Sequence, residues 1–208
     1  MTSARRWDWS ESRDAFAAAA HAFVEMAALV GDRWCEPGLG AWDVRALVGH
    51  TSRALLTVEE YLGRPASEVA VESAVGYYVA TRGMAAGPAV EERGRAAGDA
   101  LGEHPAEAVA AIAERVVTVV GACDGSELVT TIAGGMRLAD YLPTRTFELV
   151  VHAQDLAAAL GEQVAMPEEA ARQALALVAE LAVAGDDAGT VLLALTGRKA
   201  LPEGFSVL

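Results

Sequence analysis

The chain has 208 residues, of which 53% are apolar, and a formal net charge of −13. A chain of this length can bury a substantial core without disulfides, and its acidic balance would repel a nucleic-acid backbone. Charges interrupt the apolar residues, so no apolar run approaches the ~20 residues needed to span a bilayer. We therefore expect a soluble protein that binds neither nucleic acid nor membrane.

The cysteines and the N-terminal residues bear on the cellular compartment. Cys35 and Cys123 lie far apart and outside any Cys-x-x-Cys pair, so they support neither a zinc ribbon nor a redox motif. Residues 1–12 contain two arginines but are followed by no apolar region or small-residue cleavage site of a secretory signal. We expect reduced thiols and a cytoplasmic location.

Five helical segments are predicted in the first 120 residues. Apolar side chains recur every three or four positions in 10–30 and again in 42–62, and a glycine follows each segment. A third helical pattern, 67–85, is diluted by glycines. Two Ala-rich helices follow at 89–101 and 105–120, where a proline suits the first turn of the second.

The strongest helical pattern lies at 138–160, after a β-branched and glycine-containing stretch. That stretch, 127–135, is predicted to be a loop or a short extended piece. Leucines form a stripe along the helix, and Gly161 is a predicted C-cap. Pro143 either lies in the first turn, which would move the helix start to about Leu142, or kinks the helix.

The last part of the chain is predicted to be a small appendage. Residues 167–184 form a further helix, and the apolar run of the tail could be a strand, a hairpin or the end of a helix. The predicted architecture is mainly α: a four-helix bundle with additional helices in 1–163, and a short α/β appendage in 164–208.

Two of the four histidines have simple explanations. His104 precedes Pro105 between two helices, where a solvated loop residue is expected. His21 lies one turn from Glu25 on the first helix, which favours a surface pair. The remaining histidines are the candidates for chemistry.

Glu148 and His152 lie one turn apart, so both side chains project from the same face of the predicted helix. His50 occupies the equivalent edge of its own apolar stripe, so the three side chains can converge if the two helices pack together. Two imidazoles and one carboxylate suit Zn²⁺, Ni²⁺ or Fe²⁺ and leave one coordination position open. Spacing alone also permits an ordinary surface pair between Glu148 and His152.

Two segments, 41–63 and 134–161, resemble the metal-binding helices of the mycothiol-dependent maleylpyruvate isomerase family, within the DinB-like helix-bundle superfamily. The first carries a Trp-x-Val-x-x-Leu-x-x-His-like pattern at Trp42, Val44, Leu47 and His50. The second carries Arg-x-x-Glu-x-x-x-His-x-x-Asp-Leu at Arg145, Glu148, His152, Asp155 and Leu156. The resemblance implies a DinB-like bundle in which His50, Glu148 and His152 bind a metal, zinc by default.

The resemblance also assigns roles to neighbouring residues. Arg145 and Asp155 become candidates for holding the ligands or the cofactor through hydrogen bonds. Trp42 is interpreted as a packing residue rather than a substrate contact. Arg198 is a candidate for binding a carboxylate substrate.

The implied activity uses a thiol cofactor, mycothiol, which is found in actinobacteria, and a small electrophilic substrate. Isomerases of the family carry a C-terminal α/β domain that is larger than the short appendage predicted here. A thiol-dependent transferase is therefore as good an interpretation as an isomerase. The alternative is a non-catalytic metal-binding stress or interaction protein. A cavity of several hundred Å³ beside the metal would favour the enzyme, and a monomer or a homodimer fits either function.

Overall fold

The computed structural model of the chain describes residues 7–83 and 88–208, which form a mainly helical structure. In chain order the elements are α1 (Trp9–Ala28), a 3-10 helix (Arg33–Cys35), α2 (Val44–Leu62), α3 (Ala74–Thr81), α4 (Pro88–Ala100), α5 (Pro105–Gly121), β1 (Leu128–Thr131), β2 (Gly134–Arg137), α6 (Leu138–Leu160), α7 (Glu168–Ala184) and α8 (Ala188–Leu195). Within these ranges no helix is both long enough and apolar enough to cross a membrane.

Four long helices form the predicted bundle. Both α5 and α6 pack against α1 and against α2, which closes a ring of four. Of the remaining helices, α4 packs along α2, α7 contacts α1 and α6, and α3 contacts α6 and α7. The mainly α architecture is confirmed, and the α2–α6 contact is the one that positions the candidate site.

Capping residues explain where α2 begins and where α6 ends. Asp43 accepts a hydrogen bond from the backbone N–H of Ala46 at 2.8 Å, so α2 begins at Val44 rather than at Trp42. Gly161 has a φ of +66° and ends α6 as the predicted C-cap. Pro143 lies in the second turn of α6, which starts at Leu138, so the later start considered from the sequence is wrong.

The apolar stripes predicted from the sequence form the core. Their side chains lie at the centre of the bundle, where burial of apolar surface stabilises the fold. Fully buried members include Phe16, Phe23, Leu47, Val58, Leu142, Leu149 and Leu156.

Helices α2 and α4 meet backbone to backbone at two glycines. A Cβ atom on Gly49 would lie 2.1 Å from the backbone nitrogen of Gly98, and one on Gly98 would lie 2.7 Å from the carbonyl oxygen of Arg45. Only a residue without a side chain permits such an approach. The contact holds α4 beside the turn of α2 that carries His50.

The structure corrects the helix predicted at 67–85. Helix α3 covers only Ala74–Thr81, and residues 84 and 85 lie outside the described ranges. The segment before α3 runs along the antiparallel β1–β2 hairpin, where the N–H groups of Ala70 and Val71 donate to the carbonyl oxygen of Gly135. Those donors are therefore not available to a helix. The extended piece predicted near 127–135 is confirmed as this hairpin.

Residues 164–208, for which the sequence predicts a short α/β appendage, form the helices α7 and α8. The apolar run of the tail forms α8, and the strand considered there is not formed. An apolar run of this length fits a helix as well as a strand, so periodicity could not separate the alternatives.

Candidate metal centre

The three predicted ligands converge between α2 and α6. One ligand-type atom from each of His50, Glu148 and His152 lies within 4.8 Å of the other two. The two imidazole rings meet edge to face, with centroids 4.9 Å apart. Because α2 and α6 pack through their apolar stripes, the residues at the edges of those stripes face each other.

Hydrogen bonds fix the orientation of His152. Its Nδ1 lies 2.9 Å from Oδ2 of Asp155, and its Nε2 lies 3.4 Å from Oε2 of Glu148. A carboxylate on one ring nitrogen of a histidine selects the tautomer that leaves the other nitrogen free as an acceptor. Asp155 is thus placed as the resemblance implies, one turn from the histidine that it orients.

The carboxylate of Glu148 is held from a third helix. Tyr78 of α3 donates its hydroxyl proton to Oε1 of Glu148 at 2.8 Å, and the guanidinium of Arg145 lies 3.9 Å from the same oxygen. The helical pattern predicted for 67–85 did not single out Tyr78, because nothing in that pattern relates the segment to the helix that carries Glu148.

Arg145 is a buried cation that lies against two aromatic rings. Its guanidinium carbon lies 5.4 Å from the ring centroid of Tyr77 and 5.0 Å from that of Tyr141. Its Nε donates to the hydroxyl oxygen of Thr144 at 3.0 Å. The charge therefore remains beside Glu148 although the side chain is only 10% exposed.

Burial keeps His50 neutral. Desolvation, followed by the nearby His152, lowers the pKa of His50 to about 4. The centroid of its ring lies 4.5 Å from the centroid of the Trp42 ring. A neutral imidazole is the form that binds a metal ion.

The other two groups carry opposite charges when no metal is bound. Burial opposes the charge on His152, but hydrogen bonds with Asp155 and Glu148 outweigh it and raise the pKa to about 9. Burial likewise disfavours the Glu148 carboxylate, but the hydrogen bond with His152 and the charge of Arg145 lower its pKa to about 2.

The donor set fits a divalent metal. Nδ1 of His50 is buried and has no hydrogen-bond partner within the described residues. Such an unpaired buried nitrogen is rare in proteins, because the lost hydrogen bond to water is not replaced. Two imidazoles and one carboxylate within ligand distance of one ion are the usual set for zinc with an open position.

A cavity of about 710 Å³ adjoins these three residues. Four arginines line it: Arg53, Arg82, Arg93 and Arg145. Glu148 is the one acidic residue in this described lining. The wall is therefore basic, although the chain as a whole is strongly acidic.

The structure places Arg198 away from the cavity and Trp42 on the cavity wall. Arg198 is exposed in the turn after α8, where it donates to the carbonyl oxygen of Thr196, and it does not line the cavity. Trp42 packs over Gly94 and donates its Nε1 proton to the carbonyl oxygen of Glu91, as expected of a packing residue. It also lines the cavity, which the sequence analysis did not anticipate.

The other cavity residues were not found from the sequence. Arg53 lies three positions after His50 on α2, and this spacing was a usable signal. Arg82 and Arg93 lie at unrelated positions near and on other helices, where no sequence pattern links them to the site. The two surface histidines, His21 and His104, are exposed and lie apart from the cavity.

Comparison with known proteins places the chain in a family. Residues 9–157 match the family model described as the mycothiol maleylpyruvate isomerase N-terminal domain. No curated protein and no solved structure matches the chain. The matched range begins at the first residue of α1 and ends in the last turn of α6, so it contains the four-helix bundle and all three predicted ligands. The chain therefore belongs to the mycothiol maleylpyruvate isomerase N-terminal domain family.

Proposed function

We propose that the chain is a metal-dependent enzyme that uses the thiol mycothiol to isomerise, or to transfer the thiol to, a small electrophile. The observation that carries the proposal is the cluster of His50, Glu148 and His152 on the wall of a cavity of about 710 Å³. Membership of a family described by mycothiol and maleylpyruvate isomerase supports the choice of thiol and reaction.

The size of the cavity favours an enzyme over a metal-binding protein without turnover. Small-molecule sites typically occupy about 300–1,000 Å³, and the observed volume lies within that range. A protein that only stores or senses a metal has no need of such a space beside its ligands. The cavity is large enough for a sugar–thiol conjugate next to the ligand cluster.

The side chains of the chain itself supply binding and orientation. His50, Glu148 and His152 would hold the ion, for which zinc is the first choice and nickel or iron the others. When bound, zinc supplies the positive charge that stabilises a thiolate at neutral pH. Asp155 keeps Nε2 of His152 free as an acceptor, and the ring of Trp42 shields one side of His50 from water.

The arginine side chains of the wall favour an electrophile with an acidic group. Guanidinium groups bind carboxylates through paired N–H donors. Arg53 and Arg93 line the cavity from α2 and α4, and Arg145 lines it from α6. With Glu148 as the one acid in the described lining, a carboxylate would meet little repulsion there.

We place this activity in the cytoplasm. Cys35 and Cys123 are both free thiols, as expected where reductants keep thiols reduced. The thiol of the cofactor must also stay reduced, because only a reduced thiol can form the nucleophilic thiolate.

The first test is the metal content of the purified, tag-free protein by mass spectrometry. We expect about one zinc or nickel ion per chain, lost in His152→Ala and in Glu148→Ala. His21→Ala is the matched control, because His21 is exposed on α1 and should leave the metal content unchanged. Calorimetric titration should then show mycothiol binding to the wild-type protein only when metal is present. A wild-type protein that contains no metal and takes up no added zinc would overturn the proposal.

A further inference from the structure

The two carboxylate oxygens of Glu148 have different surroundings. Oε1 accepts the hydroxyl proton of Tyr78 at 2.8 Å and lies 3.9 Å from the guanidinium of Arg145. Oε2 lies 3.4 Å from Nε2 of His152, the ring nitrogen that the hydrogen bond between Nδ1 and Asp155 leaves free to bind a metal. One oxygen is thus occupied by protein donors, and the other lies beside a candidate ligand nitrogen.

This difference affects how many oxygens of Glu148 could bind the metal ion. A glutamate can offer an ion one oxygen or both, and a second oxygen would take up space at the coordination position that a thiol needs. We propose that Tyr78 is a positioning residue that occupies Oε1 of Glu148 and thereby limits this carboxylate to one ligand oxygen. The inference rests on the proposed function, because it assumes that the cluster binds a metal.

Tyr78 is itself held in place. Its ring meets the ring of Phe147 edge to face, with centroids 5.6 Å apart, and meets Tyr77 in the same way at 5.5 Å. The hydroxyl oxygen also lies 3.3 Å from the carbonyl oxygen of Thr144. A phenol has one proton, and the shorter distance to a charged acceptor directs it to Glu148.

Helix α3 brings Tyr78 to the site. Ser73 caps the start of α3 by accepting from the N–H of Gly76 at 3.0 Å, and the helix packs against α6. The donor to Glu148 therefore comes from an element other than the two that carry the ligands. Hydrogen bonds of this kind orient metal ligands, and their loss typically costs about 10–100-fold in metal affinity.

Tyr77 provides a matched control. It neighbours Tyr78 in the chain, lines the same cavity and lies over Arg145. Within the described residues its hydroxyl makes no hydrogen bond to Glu148. Removing either hydroxyl leaves a phenylalanine of nearly the same shape, so both variants are expected to fold.

The test is the visible absorption spectrum of protein loaded with Co²⁺ in place of the native metal, for wild type, Tyr78→Phe and Tyr77→Phe. Four-coordinate Co²⁺ absorbs more strongly than five-coordinate Co²⁺. We expect a weaker absorption band in Tyr78→Phe, together with zinc affinity lowered about 10-fold or more in a chelator competition. Tyr77→Phe should match wild type in both measurements.

The outcomes separate this inference from the proposed function. A wild-type protein that binds neither Co²⁺ nor zinc removes both. A wild-type protein that binds them, with a Tyr78→Phe spectrum equal to its own, removes only the role of Tyr78. That result counts against the role even if zinc affinity falls, because a general structural effect lowers affinity without changing the coordination number.

Discussion

Gly49 is a position at which a single methyl group should disturb the framework of the site. In Gly49→Ala the new Cβ would lie 2.1 Å from the backbone nitrogen of Gly98 and 2.5 Å from the carbonyl carbon of Ala97. Backbone atoms cannot rotate aside, so α4 has to move away from α2. We expect about 3 kcal/mol of overpacking cost, offset by about 1 kcal/mol of helix propensity, a net loss of about 2 kcal/mol.

The assay is thermal and urea unfolding of Gly49→Ala beside Gly121→Ala. A loss of about 2 kcal/mol lowers the melting temperature of a chain of this size by about 4–8 °C. A Cβ on Gly121, the last residue of α5, meets no atom within 4 Å, so that variant should be as stable as wild type or slightly more stable. If Gly49→Ala unfolds at the wild-type midpoint, the close approach of α2 and α4 is wrong.

Three further predictions concern the site. Asp155→Asn should lower zinc affinity by about 10–100-fold in a chelator competition, because His152 loses the acceptor that orients it; unchanged affinity would contradict that role. In metal-free protein the pKa of His152 is raised from 6.5 to about 9, so its contribution to stability is complete below pH 6.5 and is lost as the pH rises through 9. Urea unfolding should therefore show a fall in stability over that range in wild type and a smaller fall in His152→Gln. Arg53→Ala and Arg93→Ala should weaken binding of an acidic ligand in calorimetric titrations and leave a neutral analogue unaffected.

The ligand cluster was predictable because helical periodicity relates sequence to surface. Glu148 and His152 are one turn apart, and His50 lies at the edge of its own apolar stripe, so both helices could be oriented from the sequence. Nothing in the spacing showed that these two helices pack against each other. That step came from the family resemblance, and the observed α2–α6 contact agrees with it.

The surroundings of the cluster were less predictable because they depend on tertiary contacts. Tyr78 reaches Glu148 from the short helix α3, and the residues before α3 bond to the β1–β2 hairpin instead of extending that helix. Arg93 reaches the cavity because two glycines let α4 approach α2. Neither arrangement leaves a periodic pattern in the local sequence.

The charge of the cavity opposes that of the rest of the chain. The sequence has 29 acidic and 16 basic residues, yet the described lining of the cavity has four arginines and one acid. At physiological ionic strength charges are screened beyond about 8 Å, so the acidic surface acts weakly on a ligand that is already inside. Attraction by the arginines is then a short-range effect, which requires guanidinium groups held at the wall itself. Arg145 meets that requirement, because the rings of Tyr77 and Tyr141 keep a buried cation in place beside Glu148. An acidic ligand would therefore be recognised after it enters the cavity, in part by Arg145, whose position is already fixed by its contacts within the bundle.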